Sequence, residues 1–161
     1  MQIAGLSENT AVLLSMLPQV FRRYRESMER KDRPKLHNDA AAGAYFIPKY
    51  IGRIKETAMM VCLDSQCRVL NMQILTEGTV DSTLVSVRRI AEIALRYNAF
   101  GVMLAHNHPG GQPLPSRADI VLTQEIARGL EVLSIHLVDH IIVAGENYTS
   151  MSKHRMFHQN L

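Results

Sequence analysis

Two histidines one residue apart, His106-Asn107-His108, close an apolar run that starts at Phe100. Side chains alternate across a strand, so residues two apart point the same way. Both imidazoles then face one side and can share a metal ion. Pro109, Gly110 and Gly111 stop the strand and turn the chain. Asp119 follows eleven residues after His108, in the first turn of an expected helix, with Ser116 three residues before it. Two histidines and one carboxylate make the usual protein contribution to a catalytic zinc, which keeps another position open for water. A lone His-x-His says little. Followed by Pro-Gly-Gly, a proline-lined loop and Ser-x-x-Asp, it is a sharper signal. Ser116-Arg117-Ala118-Asp119 also matches a capping box, with Ser116 as N-cap and Asp119 folding back on it. One aspartate can do both, since its two oxygens can serve different partners.

These residues need elements to position them. Residues 10–30 read as an amphipathic helix: Leu14, Leu17, Phe21, Tyr24 and Met28 recur at intervals of three and four, with the arginines opposite. Pro18 kinks it or starts a second helix. Residues 31–37, charged and containing Pro34, read as a linker. A second helix starts at the capping pair Asn38-Asp39 and runs from Ala40 to about Tyr50. Thr57 to Leu63 and Arg68 to Leu75 read as a hairpin around Asp64-Ser65-Gln66-Cys67. A polar loop through Glu77-Gly78 leads to a helix from about Ser86 to Tyr97. Then follow a strand (Phe100 to His106), a loop (Pro109 to Pro115), a helix (Arg117 to Leu130), a strand (Leu133 to Val143) and a short strand at Tyr148 to Ser150. Strands interleaved with helices imply an α/β fold, and the hairpin makes its central sheet mixed rather than parallel. No internal repeat is present.

Leu104-Ala105-His106-Asn107-His108-Pro109-Gly110-Gly111, then Pro115-Ser116 and Asp119, resembles the metal signature of RadC-type domains of the JAMM/MPN (Mov34/PAD) superfamily. Val61 to Gln66 is similar to that family's first hairpin, Glu77 to Ser82 to the loop after it, and Val138 to Val143 to its late strand. The resemblance covers residues from about 38 to 151. It implies a JAMM/MPN fold of cytidine-deaminase-like type, with a mixed central β-sheet flanked by helices. The helical extension and linker then occupy 1–37, and the metallohydrolase domain 38–161. It also implies Zn2+ held by His106, His108 and Asp119, and a glutamate just ahead of the first hairpin strand. Glu56 occupies that place; on residue grounds alone it reads as an exposed charge at a strand start.

The chemistry implied by the resemblance is hydrolysis of a peptide or isopeptide bond in a protein substrate. Glu56 acts as general base on a metal-activated water, and the Ser116 hydroxyl donates to the developing oxyanion. The chain departs from the family pattern at four places. Gly110 stands where the family usually has Ser, and Val87-Arg88-Arg89 where it usually has Pro-Arg-Glu. The family's helix-hairpin-helix DNA-binding segment is expected to be absent or reduced to residues 1–35, which are then dispensable for the rest. Lys153 to Leu161 matches nothing in the pattern.

The formal net charge is +3 and the isoelectric point about 9.0. The excess sits in Arg22-Arg23-Tyr24-Arg25 and in Arg30 to Lys35, which read as solvated faces. A DNA-associated accessory role through this basic helix is the rival reading, and a non-catalytic scaffold a third, disfavoured by the intact ligand set. His-Asn-His is not the nuclease motif of those letters, whose residues are spread through a ββα unit. No stretch approaches the roughly 20 apolar residues of a membrane span, and no signal peptide is evident, so a cytoplasmic location is expected. Cys62 and Cys67 fit reduced thiols, not a disulfide framework. His136 sits on a strand. Asp139-His140 reads as a packed, hydrogen-bonded pair or as support for the metal ligands. His154 and His158 read as a solvated tail.

Overall fold

Thr57–Leu63 (β1) and Val69–Glu77 (β2) pair antiparallel, joined by a turn in which Asp64 Oδ1 accepts from the backbone N–H groups of Gln66 and Arg68. On its other side β1 pairs antiparallel with β3 (Gly101–Asn107), which in turn pairs parallel with β4 (His136–Ala144). A parallel pair needs a crossover, and α4 (Arg117–Glu131) supplies it. β5 (Asn147–Ser150) closes the order β2-β1-β3-β4-β5, antiparallel to β4. The expected mixed α/β sheet flanked by helices is therefore present.

The structure, a computed structural model, describes residues 7–31, 33–78 and 86–157. It divides at Arg33 into two units. The first carries α1 (Glu8–Lys31), a single helix that continues through Pro18 instead of restarting there. Its Leu14, Leu17, Phe21 and Tyr24 are exposed. The side chains of Arg22, Arg23, Arg25, Met28 and Arg30 lie outside the described residues, as do Asp32, residues 79–85 and His158. No described helix is long and apolar enough to cross a membrane.

In the second unit, one sheet face is covered by α2 (Asp39–Tyr50) and the other by α3 (Val87–Arg96) and α4. Asn38 caps α2, its Oδ1 accepting from Ala41 N at 2.7 Å. Met59, Val61, Met103 and Ala105 face α2 with Phe46 and Tyr50, while Met60, Cys62, Val102 and Leu104 face the α3 and α4 side with Ile90, Ile126 and Leu130. This is strand alternation written as two cores. Cys62 and Cys67 are free thiols, and burial pushes the Cys62 thiol up to about 11.

Two expectations are corrected. The last long strand starts at His136, not Leu133, because the chain first turns through Ser134 at φ +56 with Ile135 N bonding back to Leu130 O. The stretch read as linker also contributes to the core. Leu36 is 2% exposed among Phe46, Tyr50 and Val69. Leu36 N donates to Cys67 O at 2.8 Å, and Pro34 O accepts from Val69 N at 2.9 Å. The charge count hid one apolar anchor.

Leu36→Ala is expected to lower stability by about 2–5 kcal/mol, the usual range for a buried leucine truncation. A chain starting at Asn38 should melt well below one starting at Pro34, as followed by circular dichroism. Equal melting temperatures would show that this strap adds nothing.

Candidate metal centre

β3 is an interior strand, paired on both sides through His106. His106 lies opposite Ala58 of β1 and Ile142 of β4. Its side chain follows Val102 and Leu104 on the α4 face. His108 comes one residue past the strand, its N–H still bonded to Val143 O at 2.8 Å. The chain then turns at Gly110, whose φ of +70 lies in the left-handed region that glycine reaches without cost. A glycine where the resembled pattern has serine suits that conformation.

The two imidazoles meet as the alternation argument required. His106 Nε2 and His108 Nε2 are 3.0 Å apart, and both rings are half-buried. His108 Nδ1 lies 3.1 Å from Gln112 O, a carbonyl that can only accept. Nδ1 therefore carries the proton, and Nε2 of the neutral ring presents a lone pair.

Asp119 sits at the third position of α4 and does both jobs weighed from the sequence. Its Oδ2 accepts from Ser116 N at 2.7 Å and from Ser116 Oγ at 2.6 Å, while Asp119 N donates to Ser116 Oγ at 3.1 Å, so the capping box is complete. Its Oδ1 faces His106 Nε2 at 3.4 Å, and Oδ2 lies 3.8 Å from His108 Nε2. Burial opposes ionisation of this carboxyl, but His106, when its ring is protonated, and the two Ser116 donors outweigh it and hold the group well below the usual carboxylate range.

One ligating atom from each of His106, His108 and Asp119 lies within 4.8 Å of the others. With zinc–ligand bonds of about 2.0–2.1 Å, a tetrahedral site has ligand–ligand edges of about 3.3 Å. The separations of His106 Nε2 from His108 Nε2, 3.0 Å, and from Asp119 Oδ1, 3.4 Å, lie on either side of that edge. Where both ring nitrogens are unprotonated, they and the carboxylate repel at this spacing unless a cation lies between them. The cluster can hold a metal ion.

Glu56 is half-buried and immediately precedes β1. The β1–β3 register pairs Ala58 with His106, so Glu56 precedes by two residues the strand partner of His106. The Ser116 hydroxyl proton is directed at Asp119 in this arrangement.

Two residues around the site, Asn107 and Thr123, went unread in the sequence. Asn107 points away from the two histidines and is 4% exposed. Its Oδ1 accepts from Thr57 N at 2.8 Å and its Nδ2 donates to Lys55 O at 3.2 Å, which grips the backbone on both sides of Glu56. His140, read from the sequence as a packed pair with Asp139 or as support for the metal ligands, places its Nε2 2.8 Å from His106 Nδ1. Thr123, one helical turn after Asp119, places its Oγ1 2.7 Å from His140 Nδ1. Asp139 itself faces Ser150 Oγ at 2.5 Å and Ser152 N at 2.9 Å. Of the other histidines, His136 packs on the Phe100 ring at 4.8 Å and His154 is exposed.

With this geometry in hand, comparison with known proteins is direct. The family model described as RadC-like JAB domain matches residues 36–156. A UPF0758 protein of Thermotoga maritima is 32% identical over 148 residues, 92% of this chain and 66% of its own length. One of Pseudoalteromonas translucida is 35% identical over 150 residues, again 92% and 66%. The UPF0758 protein YfjY of Escherichia coli is 38% identical over 106 residues, 66% of each chain. The chain thus spans slightly less than two thirds of the length of these relatives.

Asn107→Ala leaves a buried N–H and a carbonyl without partners, and should lower stability by about 1–3 kcal/mol in a denaturant titration. Ser116→Ala should lower it by about 1 kcal/mol through loss of the cap. An unchanged midpoint for either variant would refute the hydrogen-bonding role assigned to that residue.

Proposed function

The chain belongs to the RadC-like JAB domain family, and on that premise we propose that it is a zinc-dependent hydrolase of peptide or isopeptide bonds. The observation that supports this most directly is the convergence of His106 Nε2, His108 Nε2 and the Asp119 carboxylate at the end of β3. Neutral nitrogens with one carboxylate suit zinc better than calcium or magnesium, which favour all-oxygen sets. Bound there, zinc would supply a water acidified to a pKa of about 7 and a Lewis acid for a carbonyl oxygen.

The remaining work belongs to the chain. Glu56 takes a proton from the attacking water and returns it to the leaving amine, so that amide and water become acid and amine. Asn107 holds the backbone that carries Glu56. Ser116, once its hydroxyl turns from Asp119 Oδ2, donates to the oxyanion of the tetrahedral carbon. Loss of such a donor is commonly worth about 10²–10³-fold in rate, an effect separable from the loss of the cap by measuring turnover and stability together.

Elemental analysis of protein purified without added metal should give close to one zinc per chain, and none after His106→Ala/His108→Ala. Equal, negligible metal in both would remove the proposal. Glu56→Gln is nearly isosteric and leaves three protein ligands, so it should retain zinc while hydrolysis of an isopeptide-linked test substrate falls by about 10²–10⁴-fold. Asp119→Asn should weaken zinc binding and activity together. Wild-type turnover by zinc-loaded Glu56→Gln would exclude Glu56 as the base.

A further inference from the structure

We infer that His140 and Thr123 form a relay that keeps a proton on Nδ1 of His106 and so dedicates Nε2 to the metal; its purpose rests on the metal reading above, whereas the position of the proton does not. The argument starts from the Asp119 backbone carbonyl. Thr123 Oγ1 lies 2.5 Å from that oxygen, the back-bond a threonine makes to the carbonyl four residues earlier in a helix. A carbonyl cannot donate, and two oxygens this close repel unless a proton lies between them. The only proton available is that of the Thr123 hydroxyl. Met151 Sδ at 3.7 Å is the weaker alternative acceptor.

With its single proton given to Asp119 O, Thr123 Oγ1 can only accept along its 2.7 Å contact to His140 Nδ1. His140 Nδ1 therefore carries hydrogen. His140 is 5% exposed. With a single proton on the ring, and that proton on Nδ1, its Nε2 holds a lone pair. That lone pair lies 2.8 Å from His106 Nδ1, which must donate to it. The Nδ1 proton is thereby retained, and the atom His106 offers to a cation is Nε2, the one facing His108 and Asp119. The ring of His108 is fixed in the same sense by the Gln112 carbonyl. His106 has no carbonyl at its back, and another histidine can present either a donor or an acceptor. Thr123 resolves that ambiguity.

His140 reaches this position through an irregularity in β4. Val102 and Met103 are consecutive in β3, yet their partners are Leu137 and Asp139, so β4 carries an additional residue at Val138. That residue inverts the alternation and brings His140 to the α4 face, the side on which Leu137 already packs.

The test is the ¹⁵N resonances of the full-length chain, stripped of metal and held at mildly alkaline pH, where the rings are neutral. Two-bond ¹H–¹⁵N correlations should show Nδ1 protonated and Nε2 unprotonated in both His106 and His140. In Thr123→Val the His140 proton gains by moving to Nε2, which drives His106 into its Nε2–H form. Tautomers should then mix, and zinc affinity, read by competition with a chelating dye, should fall by about 10–100-fold, the usual effect of losing an outer partner of a histidine ligand. Thr123→Ser should restore both. An unprotonated Nδ1 on either ring of the wild type overturns the relay without any variant. So does a folded Thr123→Val that loses stability but keeps wild-type tautomers and affinity. A wild type with the expected tautomers that binds no zinc would sink the hydrolase reading while upholding the relay.

Discussion

Side chains on a strand change face at every residue, and the last turns of β3 are held to that period from both flanks. His106 is locked between Ala58 and Ile142, so β3 cannot shift without breaking two ladders of hydrogen bonds. A slip of one residue would send both imidazoles to the α2 face and bring Asn107 to the metal side. The same period that joins the two histidines separates Asn107 from them and frees it to grip Lys55 and Thr57. Three consecutive residues thus do two jobs on two faces, and the positions of Glu56, Asp119 and His140 have meaning only relative to them.

The parts of this arrangement that depend on local chemistry were legible in the sequence. The His-x-His spacing, the apolar run before it and the Ser-x-x-Asp start of a helix are properties of short windows, and the structure places all three together. Asn38 announced its helix in the same way. The contacts that escaped depend on register. Asn107 binds residues about fifty positions away, and nothing near it signals which strand will lie alongside. The side His140 faces was harder to read, because it depends on the added residue at Val138, and a parity argument run from Leu137 without that residue gives the wrong side. Leu36 was masked by the charges around it, since composition averages cannot see one apolar anchor. Glu56 is a different case. Its residue type and place suggested only a surface charge, and resemblance alone proposed a role. The register adds that it lies two residues before Ala58, the partner of His106.

The relay through Thr123 and His140 joins α4 to β3 a second time. Asp119 approaches the histidines from the front, and its backbone carbonyl reaches His106 from behind through two side chains. Asp119 and Thr123 are one helical turn apart, on the same stripe of the helix. A rotation of α4 about its axis would therefore disturb the carboxylate and the imidazole together. Packing of Ile126 and Leu130 against the sheet opposes such a rotation, so core and site constrain the same degree of freedom.

The helix cap at Ser116 also sets how many teeth Asp119 can close on an ion. Its Oδ2 is engaged by a backbone N–H and a hydroxyl, so while the cap holds, only Oδ1 is free to bind. A chelating carboxylate is what calcium sites rely on to reach about six to eight oxygens. Held in this way, the aspartate could offer an ion one free oxygen beside two nitrogens, a donor set smaller and softer than such ions take. Discrimination among metals thus begins in the hydrogen bonds that start a helix.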